Sequence, residues 1–256
     1  GASVLAAMAA HRGGAGLVTL ATPESVYPIA ASKLTEAIHL PLPDDTDGRI
    51  DPTAAGLIRE RLGGYSALAV GCGLGLSAGT SAFVERLLLA DADLPMPPAV
   101  IDADGLNSLA RCESWPARLC CSAVLTPHPG EMATLTWQPT AGVQADRLGI
   151  AGNSAVEWGQ TVLLKGAHSI VASPDGRQCI LPFANPALAA GGTGDVLTGI
   201  IGGLMAQGLD PYDATLLGGY LHGTAGEVAR NSMGSAGVVA SDLLRHIPST
   251  INQLRV

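Results

Sequence analysis

Short apolar runs alternate with stretches of helical periodicity along most of the chain. The runs at 16–21, 37–40, 67–71, 99–102, 123–126 and 161–165 are built mainly from Val, Leu, Ile and Ala. Between them, positions 3–12, 24–33, 52–62, 80–90, 130–136 and 143–158 carry apolar side chains at the spacing of a helix with a buried face. Continuous apolar strands separated by helices predict a parallel sheet covered on both sides. A turn at Pro174-Asp175-Gly176 predicts a hairpin pairing 169–173 with 178–181. The segments 194–207, 211–230 and 241–254 read as helices. The expected fold class is α/β: a three-layer sandwich with a mostly parallel central sheet and helices on both faces. No linker or internal repeat interrupts the pattern, so residues 1–256 are expected to form a single domain.

Ligands of open α/β sheets sit beyond the carboxyl ends of the strands, and the unusual residues of this chain collect there. The predicted strands end in GCGLG (71–75), DADGLN (102–107), TPHPGE (126–131) and KGAH (165–168). The most informative stretch is GGTGDVLTG (191–199), in which Asp195 opens an apolar helix. Glycines free backbone N–H groups to face an anion, and a helix N-terminus favours phosphate. A carboxylate in that seat suits a base that takes a proton from a hydroxyl about to be phosphorylated. The plain alternative is a glycine turn with Asp195 as a helix cap.

The other motifs carry weaker signals. GCGLG lacks the full dinucleotide spacing, and reads either as a close backbone approach to a ligand or as an ordinary strand-to-helix turn. Glu131 is either a first-turn cap or a carboxylate that orients water around Mg²⁺. His128 beside it reads as a ligand contact. Lys165 ends an apolar strand, where an ammonium suits a nucleotide phosphate, a salt bridge or solvent. Asp102 and Asp104 are assigned at most a polar contact to a ribose or amide.

Composition narrows the partners. The chain has 256 residues, 47% apolar and 14% charged, with a net charge of −8. That balance disfavours nucleic acid, which is held by clustered Lys and Arg. Five cysteines, odd in number and without a CxxC pair, indicate a reducing cytosol and no zinc site; adjacent Cys120 and Cys121 read as strand filling. No apolar run is long enough to span a membrane. The chain opens as though already entering a helix, so an upstream strand and loop are expected to precede it.

Together these motifs resemble the ribokinase-like superfamily, and within it the ADP-dependent NAD(P)H-hydrate dehydratases. The resemblance runs from GASVLAAMAAHRGGAGLV (1–18) through GCGLG, IDADGLN and TPHPGEM to NPALAAGGTGDVLTG (185–199) and YLHGTAG (220–226). GTGD alone marks only the superfamily. GAGLV, TPHPGE and LLKG (163–166) point to the dehydratase branch, with His128 where sugar kinases commonly carry asparagine.

The resemblance implies ADP-dependent dehydration of the S epimer of hydrated NADH or NADPH, restoring NAD(P)H with release of AMP and phosphate. Asp195 is implied as the catalytic base. Ala2, Gly73, His128 and Asp195 are implied to contact the hydrated dinucleotide. Lys165, Gly166, Ala167, His168 and Ser169, with Gly191, Gly192, Thr193 and Gly194, are implied to hold ADP and its transferring phosphoryl group. Glu131 would place Mg²⁺ through water. A cytoplasmic homo-oligomer, such as a tetramer, is also implied, without the epimerase domain fused to some relatives. Ala187 departs from the AsnProGlyMetAla pattern of the family and is expected to restrict the turn there. An ATP-dependent small-molecule kinase and a non-catalytic nucleotide-binding protein are the alternatives.

Overall fold

The computed structural model describes residues 1–89 and 95–254. Helix α1 (Ala2–Arg12) leads into strand β1 (Thr19–Pro23), a short helix α2 (Tyr27–Ala31) and strand β2 (Ile38–Leu42). Then follow α3 (Ala54–Leu62), β3 (Leu68–Val70), α4 (Ala78–Leu88), β4 (Ala99–Ile101), α5 (Asp104–Leu109) and α6 (Trp115–Arg118). Strand β5 (Ala123–Leu125) is followed by α7 (Pro129–Thr136), α8 (Thr140–Ala145), α9 (Arg147–Trp158) and β6 (Thr161–Leu164). The hairpin β7 (Ile170–Ala172) and β8 (Gln178–Ile180) precedes α10 (Thr193–Ala206), α11 (Pro211–Met233) and α12 (Ala240–Leu254).

Strands β3 to β8 form one sheet in sequence order, with β3 to β6 parallel and the hairpin added antiparallel. Side chains alternate between its faces, as the period of a strand requires. Ile101, Leu125, Val162 and Leu164 enter a core with α3 to α9, whereas Val100, Val124, Leu163 and Val171 enter a second core with α10, α11 and α12. Both faces are thus dry, which explains the continuous apolar runs. Helices α1 and α10 approach closely because Gly199 and Gly203 lie against the carbonyls of Ala6 and Ala10.

Several boundaries differ from the sequence reading. The predicted helix 143–158 breaks at Asp146, whose non-helical backbone (φ −139°, ψ 63°) ends α8 and whose carboxylate accepts from Gly149 N–H (2.9 Å) to cap α9. The predicted helix 24–33 shrinks to α2, since residues 24–26 form a turn. The stretch after β4 is helical from Asp104 instead of a loop. Cys120 and Cys121 precede β5 and do not fill it; the Cys120 thiol donates to Leu88 O (2.9 Å). The last residue of the predicted helix 80–90 lies outside the described residues.

The larger correction concerns β1 and β2, which pair with each other in a separate parallel sheet. A largely apolar slot of about 340 Å³ lies between β1 and β3, bordered by α1, α10, α3 and α4. Leu68 N–H donates to Pro98 O (3.0 Å) and Asp102 N–H to Val70 O (3.1 Å), so the peptide groups of Ala69 point away from β4. By the same alternation Val18 and Glu24 bond β2, which turns Thr19 and Ala21 toward the slot. Thr22, buried in its wall, has a hydroxyl with no hydrogen-bond partner. Among the described residues, no helix is long and apolar enough to cross a membrane.

Candidate active site

Because β3 to β6 are parallel, the loops that follow them all emerge at one edge of the sheet. The first, 71–75, turns sharply at Gly71 (φ +122°), whose Cα lies so close to Asp102 O that a side chain has no room. Two residues on, Gly73 lies against Ala2 at the start of α1, with Ala2 Cβ 3.0 Å from where a glycine Cβ would stand. Two of the predicted dinucleotide contacts therefore meet at this corner.

The loop after β4 presents Asp102, only 2% exposed. Lys165 Nζ donates to Asp102 Oδ1 (2.7 Å) and Thr198 Oγ1 to Oδ2 (2.8 Å). A buried carboxylate needs such donors to remain charged. Ala103 next to it adopts φ +49°, a strained conformation for alanine that turns the chain into α5. Of the partners left open for Lys165, the salt bridge is present, made to Asp102.

After β5, His128 caps α7. Its Nδ1 accepts from Gly130 N–H (2.9 Å) and Glu131 N–H (3.1 Å), while the backbone N–H of His128 donates to Glu131 Oε2 (2.7 Å). This reciprocal box satisfies orphan donors at the helix start and puts the proton of the neutral ring on Nε2, 3.4 Å from Glu131 Oε1. Glu131 also lies 3.6 Å from Lys165 Nζ. The capping role of Glu131 is thus realised. A carboxylate so engaged fits an ion held chiefly by phosphates and water. Among the described residues, no group of three His, Cys, Asp or Glu side chains forms a metal cage.

Beyond β6, the loop from Lys165 to Ser169 is held from beneath. Arg147 Nη1 donates to Ala167 O (2.6 Å) and Nη2 to Leu164 O (3.3 Å), and Ser169 Oγ donates to Gly166 O (3.0 Å). Gly166 (φ +145°) leaves space for that guanidinium.

The glycine segment closes the site. Gly192 (φ +92°) turns the chain into α10, and Thr193 Oγ1 ties that turn by donating to Leu188 O (2.7 Å) and Ala190 O (2.9 Å). Gly194 and Asp195 occupy the second and third positions of α10, where backbone N–H groups lack helical acceptors. A Cβ at Gly194 would stand 3.5 Å from Lys165 Nζ and 3.7 Å from Asp102 Oδ2, so the cradle and the ammonium adjoin. Ala187 lies in a 3₁₀ turn (Pro186–Ala189) capped by Asn185 Oδ1, which accepts from its N–H (2.9 Å). Its φ is not positive, so alanine is accommodated there without strain.

Charge at the site is tuned by burial. Desolvation raises the pKa of Asp195, and Asp102 adds to it; the Cys72 thiol, by hydrogen bonding, and Lys165, by its charge, pull it back. Burial also pushes the Cys72 thiol well up. For Lys165 burial acts downward, but Asp102 and Glu131 outweigh it and keep the ammonium charged. Thr198, Arg147 and Cys72 were missed as site residues, and Asp102 was read only as a polar contact to a ribose or amide, not as the partner of Lys165. Asp102 carried a signal, an acid at the end of an apolar strand. Thr198 and Arg147 carried none, because their partners are distant in sequence.

The fold and this strand-end site define a ribokinase-like α/β protein. Similarity to a ribokinase-like superfamily protein from Enterococcus faecalis (TM-score 0.80, 23% identity, covering 99% of this chain and 82% of that one) supports the fold. The sequence profile of the NAD(P)H-hydrate dehydratases matches residues 1–249, and the chain belongs to that family. It is 45% identical over 254 residues to a bifunctional NAD(P)H-hydrate repair enzyme of Moorella thermoacetica, covering 99% of this chain and 47% of that protein. It is 37% identical over 246 residues to an ADP-dependent (S)-NAD(P)H-hydrate dehydratase of Neisseria meningitidis, covering 95% and 78%. The ADP/ATP-dependent NAD(P)H-hydrate dehydratase of Bacillus subtilis, co-crystallized with ATP/Mg²⁺, superposes with a TM-score of 0.80 at 30% identity, covering 99% and 84%. The chain spans about half the length of most of the curated relatives it matches.

Proposed function

We propose that this chain dehydrates the S epimer of hydrated NADH or NADPH at the expense of ADP. The observation that carries this reading is the placement of Asp195 in the first turn of α10, beside the Gly194 cradle that adjoins Lys165. Hydroxide is a poor leaving group and phosphate a good one. Asp195 takes the proton of the ring hydroxyl, whose oxygen then attacks the β-phosphorus of ADP and displaces AMP. The ring C–O bond, whose oxygen now carries the phosphoryl group, then breaks with help from the ring nitrogen lone pair, and phosphate leaves. Loss of a proton from the neighbouring ring carbon completes the double bond.

Backbone N–H groups from Gly191 to Gly194 hold the transferring phosphoryl group, and Lys165 balances its charge. The loop from Lys165 to Ser169 seats the nucleotide. Ala2, Gly73 and His128 line the approach of the hydrated dinucleotide, with Nε2–H of His128 available as a donor. Glu131 would hold Mg²⁺ through water, and the ion would supply positive charge to offset the phosphates. The Asp102 pairing supports this reading, because it fixes Lys165 beside the cradle before a ligand arrives.

The five free cysteines suit a reducing cytoplasm. A homo-oligomer, such as a tetramer, is part of the proposal. Light scattering tests that assembly. The test of the activity is incubation with chemically hydrated NADPH, Mg²⁺ and either ADP or ATP, following recovery of reduced-nicotinamide absorbance. No recovery with either nucleotide rejects the proposal. A stable phosphorylated product would reassign the chain as a small-molecule kinase.

A further inference from the structure

His222 of α11 is buried and belongs to none of the strand-end loops. Its Nε2 lies 2.8 Å from Thr193 O. A carbonyl oxygen only accepts, so Nε2 bears the proton and donates. The ring stays neutral at ordinary pH because burial and the nearby Lys165 both oppose its protonation.

The partner it has chosen is informative. Thr193 C=O and Gly194 N–H are the two polar ends of one planar trans peptide and point in opposite directions. Gly194 N–H leaves the open end of α10, where Lys165 Nζ is the nearest cation. As the first residue of α10, Thr193 also offers this oxygen to the helical N–H of Leu197; the imidazole adds a second bond, which tightens the restraint on the peptide plane and polarises its N–H into a better donor. Thr193 Oγ1 anchors the preceding turn, but nothing in that anchor sets the tilt of the following peptide.

We propose that His222 is a positioning residue of the phosphoryl seat, holding the Thr193–Gly194 peptide so that Gly194 N–H faces the transferring phosphate. It touches no substrate and acts through the backbone. The ring supplies a donor without a charge, so it leaves the balance among Asp102, Lys165 and Asp195 undisturbed. The proposal rests on the reading of Gly194 as part of the nucleotide cradle.

The experiment compares His222→Leu, His222→Gln and His222→Asn by ADP binding in calorimetry, by turnover of hydrated NADPH and by thermal melting. His222→Leu should weaken ADP binding about fivefold and lower kcat by roughly one to two orders of magnitude, the scale of a misaimed anion donor. His222→Gln, whose amide N–H reaches about as far as Nε2, should restore both to within a few-fold; the shorter Asn should not. Binding and kcat unchanged in His222→Leu, with only a lower Tm, would leave a helix tie and overturn the proposal. If the leucine variant does not fold, equal behaviour of Gln and Asn overturns it. Should wild type bind ADP yet leave hydrated NADPH untouched, the dehydratase reading fails, and the binding comparison still judges His222. Wild type that binds no ADP removes both.

Discussion

Asp195 is ionised against its surroundings. Burial and Asp102 raise its pKa, so the folded chain holds the protonated form better than the unfolded chain does. The cost of ionising it appears as pH rises above the ordinary carboxylate range, through the raised value, and persists at neutrality. Asp195→Asn should therefore melt at a higher temperature than wild type at pH 7, with the difference vanishing in acid. The same variant should lose at least about a hundredfold in turnover, the usual scale for a removed general base, while still binding ADP. A normal rate in the variant would remove Asp195 as the base. Lys165→Met leaves Asp102 and Glu131 buried without their cation. It should cost several kcal/mol, of order 3–5 as for a broken buried pair, read from denaturant melts. Asp195 itself was legible in the sequence, since a carboxylate after a glycine loop has few structural uses. Asp102 was legible only as an acid ending an apolar strand; its pairing depends on Lys165 and Thr198, residues 63 and 96 positions away that only the fold brings to it.

At the level of elements, the α1 and α10 pair joins the two ligand corners. Ala2 begins α1 beside Gly73, and Asp195 lies in the first turn of α10, so the spacing between these helices sets the width of the candidate site. Gly199 holds that spacing by lying against Ala6 O. Gly199→Val forces the helices apart, and should destabilise by about 1–3 kcal/mol, as overpacking does. It should also raise the KM for the dinucleotide more than that for ADP. An unchanged ratio of the two constants would show that the corners are not coupled through this contact. The elements themselves were largely readable, because strands dry on both faces leave unbroken apolar runs. Boundaries failed where a single side chain decided them, as at Asp146, whose cap splits one predicted helix into α8 and α9. The separation of β1 and β2 was invisible, because periodicity reports which face a residue buries and not which strand lies beside it.

Across the whole molecule, two cores clamp one sheet, and acid acts on the fold through His222, which is buried against the start of α10. Burial pushes the ring down to about 4 in the folded chain, from the ordinary imidazole value of 6.5. The unfolded chain thus gains a proton that the folded chain refuses as pH falls from 6.5 toward 4. Stability should decline across that window by up to about 3 kcal/mol and then level for this group. Melts of His222→Gln should lose that portion of the slope. The slot between β1 and β3 acts on a different clock. Peptide groups at Ala69 and Ala21 face it, whereas those of Val100, Val124 and Leu163 lie within paired strands between two dry cores. Deuterium exchange should label the first pair through small local openings, and the other three only when the molecule opens globally. Equal protection at all five amides would contradict that. The sheet then has a seam where opening begins, beside the corner that joins Gly73 to Ala2, so the first fluctuations of the fold reach the active site before they reach its core.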